Sequence, residues 1–131
     1  MKFAAIDVGT ISVRLLVAEL AGGEVRQLVR RAKVTRLGEG LLPGARLSEE
    51  ARQRTAGVVA RYVQEARSLG AHRFVVAGTS AAREAVDGDD FIRSLGRENA
   101  IPAVVLTGQE EAEMAYAGAT IEVRGDVVVV D

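Results

Sequence analysis

The chain has 131 residues, 48% hydrophobic and 27% charged, with a formal net charge of -1. That suffices for one domain with its own core, and no global basic field exists to attract a nucleic acid polymer. With no cysteine and a single histidine, His72, disulfides, thiolate metal sites and multi-histidine cages are excluded. No apolar run reaches the roughly 20 residues that span a bilayer. The N-terminus enters a strand without a secretory pattern. The expectation is a cytoplasmic protein with no membrane partner.

Lys2 to Asp7 reads as a buried strand and Ser12 to Leu20 as a second. Between them, Asp7 stands where the first strand runs out, Gly9 permits a tight reversal, and Thr10 and Ser12 bring hydroxyls. Exposed N–H groups in such a turn make an anion-binding concavity, and a carboxylate beside it suits a divalent ion. An ordinary hairpin whose Asp bonds its own turn would use the same residues. Ala21-Gly22-Gly23 signals a hairpin into a third strand, Glu24 to Val34. Its arginines suit a solvated edge, where charge prevents mispairing.

Residues 37–46 read as loop. Ser48 is an N-cap followed by Glu49 and Glu50, which suit the positive end of a helix dipole. Ala51, Thr55, Val58, Val59, Tyr62, Val63, Ala66 and Leu69 then recur at helical spacing. Tyr62 belongs to the core, and Gly70 stops the helix. His72 precedes a short strand and reads as structural or solvated. Gly78-Thr79-Ser80-Ala81-Ala82-Arg83 is a strand-to-helix turn with two hydroxyl caps and an arginine one turn in. A helix N-terminus attracts anions, and Arg83 offers a bidentate phosphate contact. A merely capped helix with a surface arginine fits equally well.

Residues 86–90 break that helix and start another, buried through Phe91, Ile92 and Leu95. Ala103 to Leu106 is a strand. Thr107-Gly-Gln-Glu110 has the form of a capping box, and its helix runs to about Ala119. Asp126 to Asp131 ends the chain as a strand. Three meandering strands followed by crossovers predict an α/β fold with a mixed sheet. Ligands in such sheets bind at the carboxyl ends of strands. Asp7, the turns at 78–83 and 107–111, and Asp131 all lie at such ends. Glu110 is explained by the capping box. Glu111 diverges from it by about 100° around the helix and has no structural explanation. A carboxylate there can deprotonate a water for attack on phosphorus.

The run from Ala5 to Glu19, containing Asp7-Val-Gly-Thr-Ile-Ser12, resembles the first phosphate motif of the exopolyphosphatase and guanosine pentaphosphate phosphatase family. That family belongs to the actin-like ATPase superfamily, with an RNase H-like core. Arg36-Leu-Gly-Glu-Gly40, Leu47-Ser-Glu-Glu-Ala51, Gly78-Thr-Ser-Ala-Ala-Arg83-Glu-Ala85 and Leu106-Thr-Gly-Gln-Glu-Glu111-Ala112 match in order. The strand Val127 to Asp131 looks like the one leading into the family's second phosphate loop.

The resemblance implies an RNase H-like half-domain over residues 1–125, with residues 126–131 the first strand of a missing second lobe. It implies that Glu111 is the catalytic base, and that Asp7 and Asp131 lie near Mg²⁺ and the scissile phosphate. Gly9, Thr10, Ser12, Thr79 and Arg83 would bind phosphate. The substrate would be polyphosphate or guanosine pentaphosphate. The alternative is a lobe of an actin-like ATPase or a sugar-kinase-type protein. Thr10-Ile11 replaces the family's usual Ser-Asn, which removes an amide from the turn. An isolated lobe is expected to fold but to be inactive. Its last strand is expected to be disordered, irregularly docked, or paired with a second copy in a homodimer.

Overall fold

The computed structural model describes residues 1–114. The elements in chain order are β1 (Lys2–Val8), β2 (Ser12–Ala21), β3 (Glu24–Val34), α1 (Glu49–Ser68), β4 (Arg73–Gly78), α2 (Ser80–Glu84), α3 (Gly88–Asn99) and β5 (Ala103–Val105). Residues 108–114 are helical. The five strands form one mixed sheet in the order β3-β2-β1-β4-β5. β1, β2 and β3 are an antiparallel meander, whereas β4 and β5 continue parallel to β1. Parallel neighbours need crossovers, which α1 and the pair α2 and α3 provide.

Alternation along the strands decides which face is buried. Ala4, Ile6 and Val8 of β1, Val13, Leu15 and Val17 of β2, and Val76 of β4 lie beneath the helices. Ile92 and Leu95 of α3 and Val59 and Val63 of α1 close this core. Each large aliphatic side chain buried there contributes about 1.5–3 kcal/mol. The opposite face carries Ala5 and Asp7 of β1, Arg14 and Leu16 of β2, and Arg30 and Ala32 of β3 around a shallow hollow. β3 forms one edge and is largely exposed, as its arginines predict.

The caps of α1 are those read from its sequence. The Ser48 hydroxyl accepts from the Ala51 N–H at 3.1 Å. Gly70 takes a positive φ of 92° just past the helix, where glycine has no Cβ penalty. Tyr62 lies in the core, and His72 is exposed beside the Gly70 carbonyl.

The structure corrects three expectations. Asp7 lies within β1, which runs on to Val8. The helix opened by Gly78-Thr79-Ser80 has only five residues, so it offers little dipole to an anion. Its N-cap Thr79 makes no side-chain cap bond; its hydroxyl instead faces the Val8 carbonyl at 3.4 Å. Three residues separate α2 from α3, and the two pack closely where Gly88 lies against Ala82. A Cβ on Gly88 would fall 1.9 Å from the Ala82 carbonyl oxygen. The expected strand 126–131 and the continuation of the last helix to Ala119 lie outside the described residues.

Candidate phosphate site at the carboxyl edge of the sheet

The sheet order brings distant segments to one edge. Val8 pairs with Gly78, and Gly78 with Val105. The turn after β1, the start of α2 and the segment 106–111 after β5 therefore adjoin one another. The Thr79 N–H donates to the Val8 carbonyl at 3.2 Å, and the Leu106 N–H to the Gly78 carbonyl at 2.9 Å.

The turn from Gly9 to Ser12 is closed by the Gly9 N–H donating to the Ser12 carbonyl at 3.0 Å. A second loop holds it from outside. The Thr35 and Arg36 N–H groups both donate to the Ile11 carbonyl at 2.9 Å, and the Gly38 N–H donates to the Thr10 carbonyl at 3.0 Å. Arg54 of α1 steadies that loop through the Thr35 carbonyl and Glu39, each at 3.0 Å. The N–H groups of Thr10 and Ile11 have no acceptor among the described residues, and the Ile11 N–H points away from the loop because the carbonyl of its own peptide, that of Thr10, is held by Gly38. Consecutive free N–H groups are what an anion-binding nest presents. Ile11 projects its side chain outward and is exposed.

Asp7 faces Arg14 across the β1–β2 ladder. Burial pushes the Asp7 carboxyl above its ordinary range. Arg14 opposes that rise and Glu111 adds to it, which places Glu111 within electrostatic reach of Asp7. Glu111 itself lies in the first turn after the capping box. That box forms as expected: the Thr107 N–H donates to Glu110 at 2.9 Å, and the Glu110 N–H donates to the Thr107 hydroxyl at 3.0 Å. Glu111 takes no part in it and receives Nη1–H of Arg83 at 2.9 Å. The same nitrogen donates to the Leu106 carbonyl at 2.8 Å.

Asp7, Gly9, Thr10, Ser12, Thr79, Arg83 and Glu111 are thus gathered at one edge, while Asp131 lies outside the described residues. Sequence reasoning missed Arg14, which only strand register pairs with Asp7. It also missed how residues 35–38 clamp the turn. Their signal was present in the motif Arg36-Leu-Gly-Glu-Gly40, where Gly38 fits closely against the Thr10 methyl.

No group of three or more metal-binding side chains occurs among the described residues. Mg²⁺ does not require one, since it takes one or two carboxylates, several waters and phosphate oxygens. Asp7, an exposed oxygen donor three residues before the first free N–H group, fits as one such ligand.

A three-strand meander and two further strands parallel to β1, with helical crossovers between them, define an RNase H-like half-domain of the actin-like ATPase superfamily. The model of the Ppx/GppA phosphatase family matches residues 16–131. The chain belongs to that family. It is 39% identical to "Exopolyphosphatase 2" of Mycobacterium tuberculosis, over 92% of this chain and 41% of that protein. It is 32% identical to "Guanosine-5'-triphosphate,3'-diphosphate pyrophosphatase" of Photobacterium profundum, over 88% of this chain and 23% of that one. The crystal structure of the Aquifex aeolicus family member superposes with a TM-score of 0.80 at 29% identity, covering 92% of this chain and 39% of that one. The chain therefore spans well under half the length of these relatives. Among its described residues no helix is long and apolar enough to cross a membrane.

Proposed function

We propose that this chain is the N-terminal lobe of a phosphoanhydride hydrolase that releases terminal phosphate from polyphosphate or guanosine pentaphosphate. The observation carrying this reading is the placement of Glu111. It is free of the capping box, paired with Arg83 and within electrostatic reach of Asp7, at the edge that holds the free N–H groups of Thr10 and Ile11. Those N–H groups, with the Ser12 hydroxyl, bind phosphoryl oxygens, and Arg83 stands beside them on Glu111. Thr79 contributes by fixing Val8 beneath the turn, with Gly9 allowing the close approach. The Glu111 carboxylate takes a proton from a water as its oxygen attacks the terminal phosphorus, and the shortened phosphate chain departs. Mg²⁺, held by Asp7 and by Asp131, would neutralise charge on the phosphoryl oxygens. The relatives' greater length supports a second lobe as the facing wall of the cleft.

The test is phosphate release by the chain carried through its natural downstream reading frame. Long-chain polyphosphate, guanosine pentaphosphate and ATP are compared with and without Mg²⁺. Glu111→Gln is expected to lower kcat by about 10²–10⁴-fold, the usual contribution of a general base. Turnover of ATP alone, or activity indifferent to Glu111, would replace this reading with that of an actin-like ATPase or kinase lobe.

A further inference from the structure

We infer that Arg83 is the positioning residue for Glu111, and that its effect on the reaction passes through that carboxylate. This rests on the hydrolase reading of the site. The geometry is that of a clamp. One nitrogen, Nη1 of Arg83, donates to both the Leu106 carbonyl and the Glu111 carboxylate, at 2.8 and 2.9 Å. The first contact ties α2 to the end of β5. The second fixes one side chain at the start of the helix that follows. Nothing else among the described residues hydrogen-bonds the Glu111 side chain. The capping box orients Glu110 and leaves Glu111 to its own rotamers.

Glu111 is also within electrostatic reach of Asp7, and like charges repel. Without a cation between the first turn and the mouth, the Glu111 side chain would swing toward solvent, where it is already partly exposed. Arg83 suits the task because its planar fork holds a carboxylate in a defined direction. Its Nε and Nη2 have no acceptor among the described residues. A base misplaced by about 1 Å loses on the order of 100-fold in rate.

The experiment is a double-mutant cycle on phosphate release from polyphosphate and guanosine pentaphosphate. It uses the chain carried through its downstream reading frame, with kcat and KM measured separately. Arg83→Gln is expected to lower kcat about 100-fold while KM stays within about threefold. In the Glu111→Gln background the same change is expected to cost almost nothing more, because the group it positions is already gone. Thermal midpoints of the four proteins report whether each is folded. The inference is overturned if Arg83→Gln acts mainly on KM, or if its loss multiplies fully with that of Glu111→Gln. Either result makes Arg83 a direct phosphate ligand only. Full activity in Glu111→Gln, or no turnover by the unaltered protein, instead removes the hydrolase reading beneath it.

Discussion

Asp7 is held above the ordinary carboxylate range, first by burial and then by Glu111, with Arg14 opposing. A carboxyl whose pKa is higher folded than unfolded favours the native state in its protonated form. That contribution is complete below the unfolded pKa and is lost as pH rises through the folded one. At neutral pH the ionised Asp7 therefore works against folding. Asp7→Asn is expected to raise the thermal midpoint at pH 7. The gain stays below roughly 1 kcal/mol, since neighbours desolvate the carboxyl only in part and the solvent that still reaches it screens its charge. It should shrink as pH falls toward the ordinary carboxylate range. Scanning calorimetry across pH 3 to 8, spanning about the range in which carboxylates titrate, would show this. A midpoint lowered by the mutation at pH 7 would contradict it. The same scans with Mg²⁺ should raise the midpoint of the unaltered chain and leave Asp7→Asn unmoved, because a ligand stabilises only the state that binds it.

Two glycines separate the elements that hold the fold from those that shape the site. Gly88 packs on backbone, and its missing Cβ lets α2 and α3 meet. Gly88→Ala has no flexible partner to displace and is expected to cost about 3 kcal/mol, at the upper end for overpacking. Gly38 packs on a side chain. Its added Cβ would lie 2.5 Å from Thr10 Cγ2, and Thr10 is exposed and can rotate. Gly38→Ala should cost about 1 kcal/mol or less, while raising KM for phosphorylated substrate by disturbing the turn. Urea unfolding of both variants, with kinetics of the second in the extended protein, would check the contrast. Equal stability losses would mean that residues 35–38 are as structural as α3.

As a whole molecule the chain presents one open edge. The nest, Asp7 and Glu111 all belong to it, and among the described residues nothing faces them to exclude water. Phosphoryl transfer depends on positioning and on electrostatics sheltered from solvent. The 131-residue chain by itself is therefore expected to release no phosphate above the level of its Glu111→Gln variant. Mg²⁺-dependent release that Glu111→Gln abolishes would show that one wall suffices.

Much of this arrangement was legible before any coordinates. Alternating apolar positions set the strands of the meander, Ser48 and Gly70 bounded α1, and Thr107 with Glu110 announced the capping box. Each rests on residues a few positions apart, whose geometry a strand or helix dictates locally. The elimination that left Glu111 unexplained was also local. Tertiary structure alone decided the rest. The clamp from Arg83 to Glu111 joins residues 28 apart, and the partner of Asp7 is a matter of strand register. Thr79 promised a cap and turned its hydroxyl to Val8 because β4 lies beside β1. The turn that carries the free N–H groups is held in place by a loop more than 20 residues away, which takes the Thr10 and Ile11 carbonyls. Local chemistry chooses the elements, but only the order of strands in the sheet decides which side chains meet at its edge.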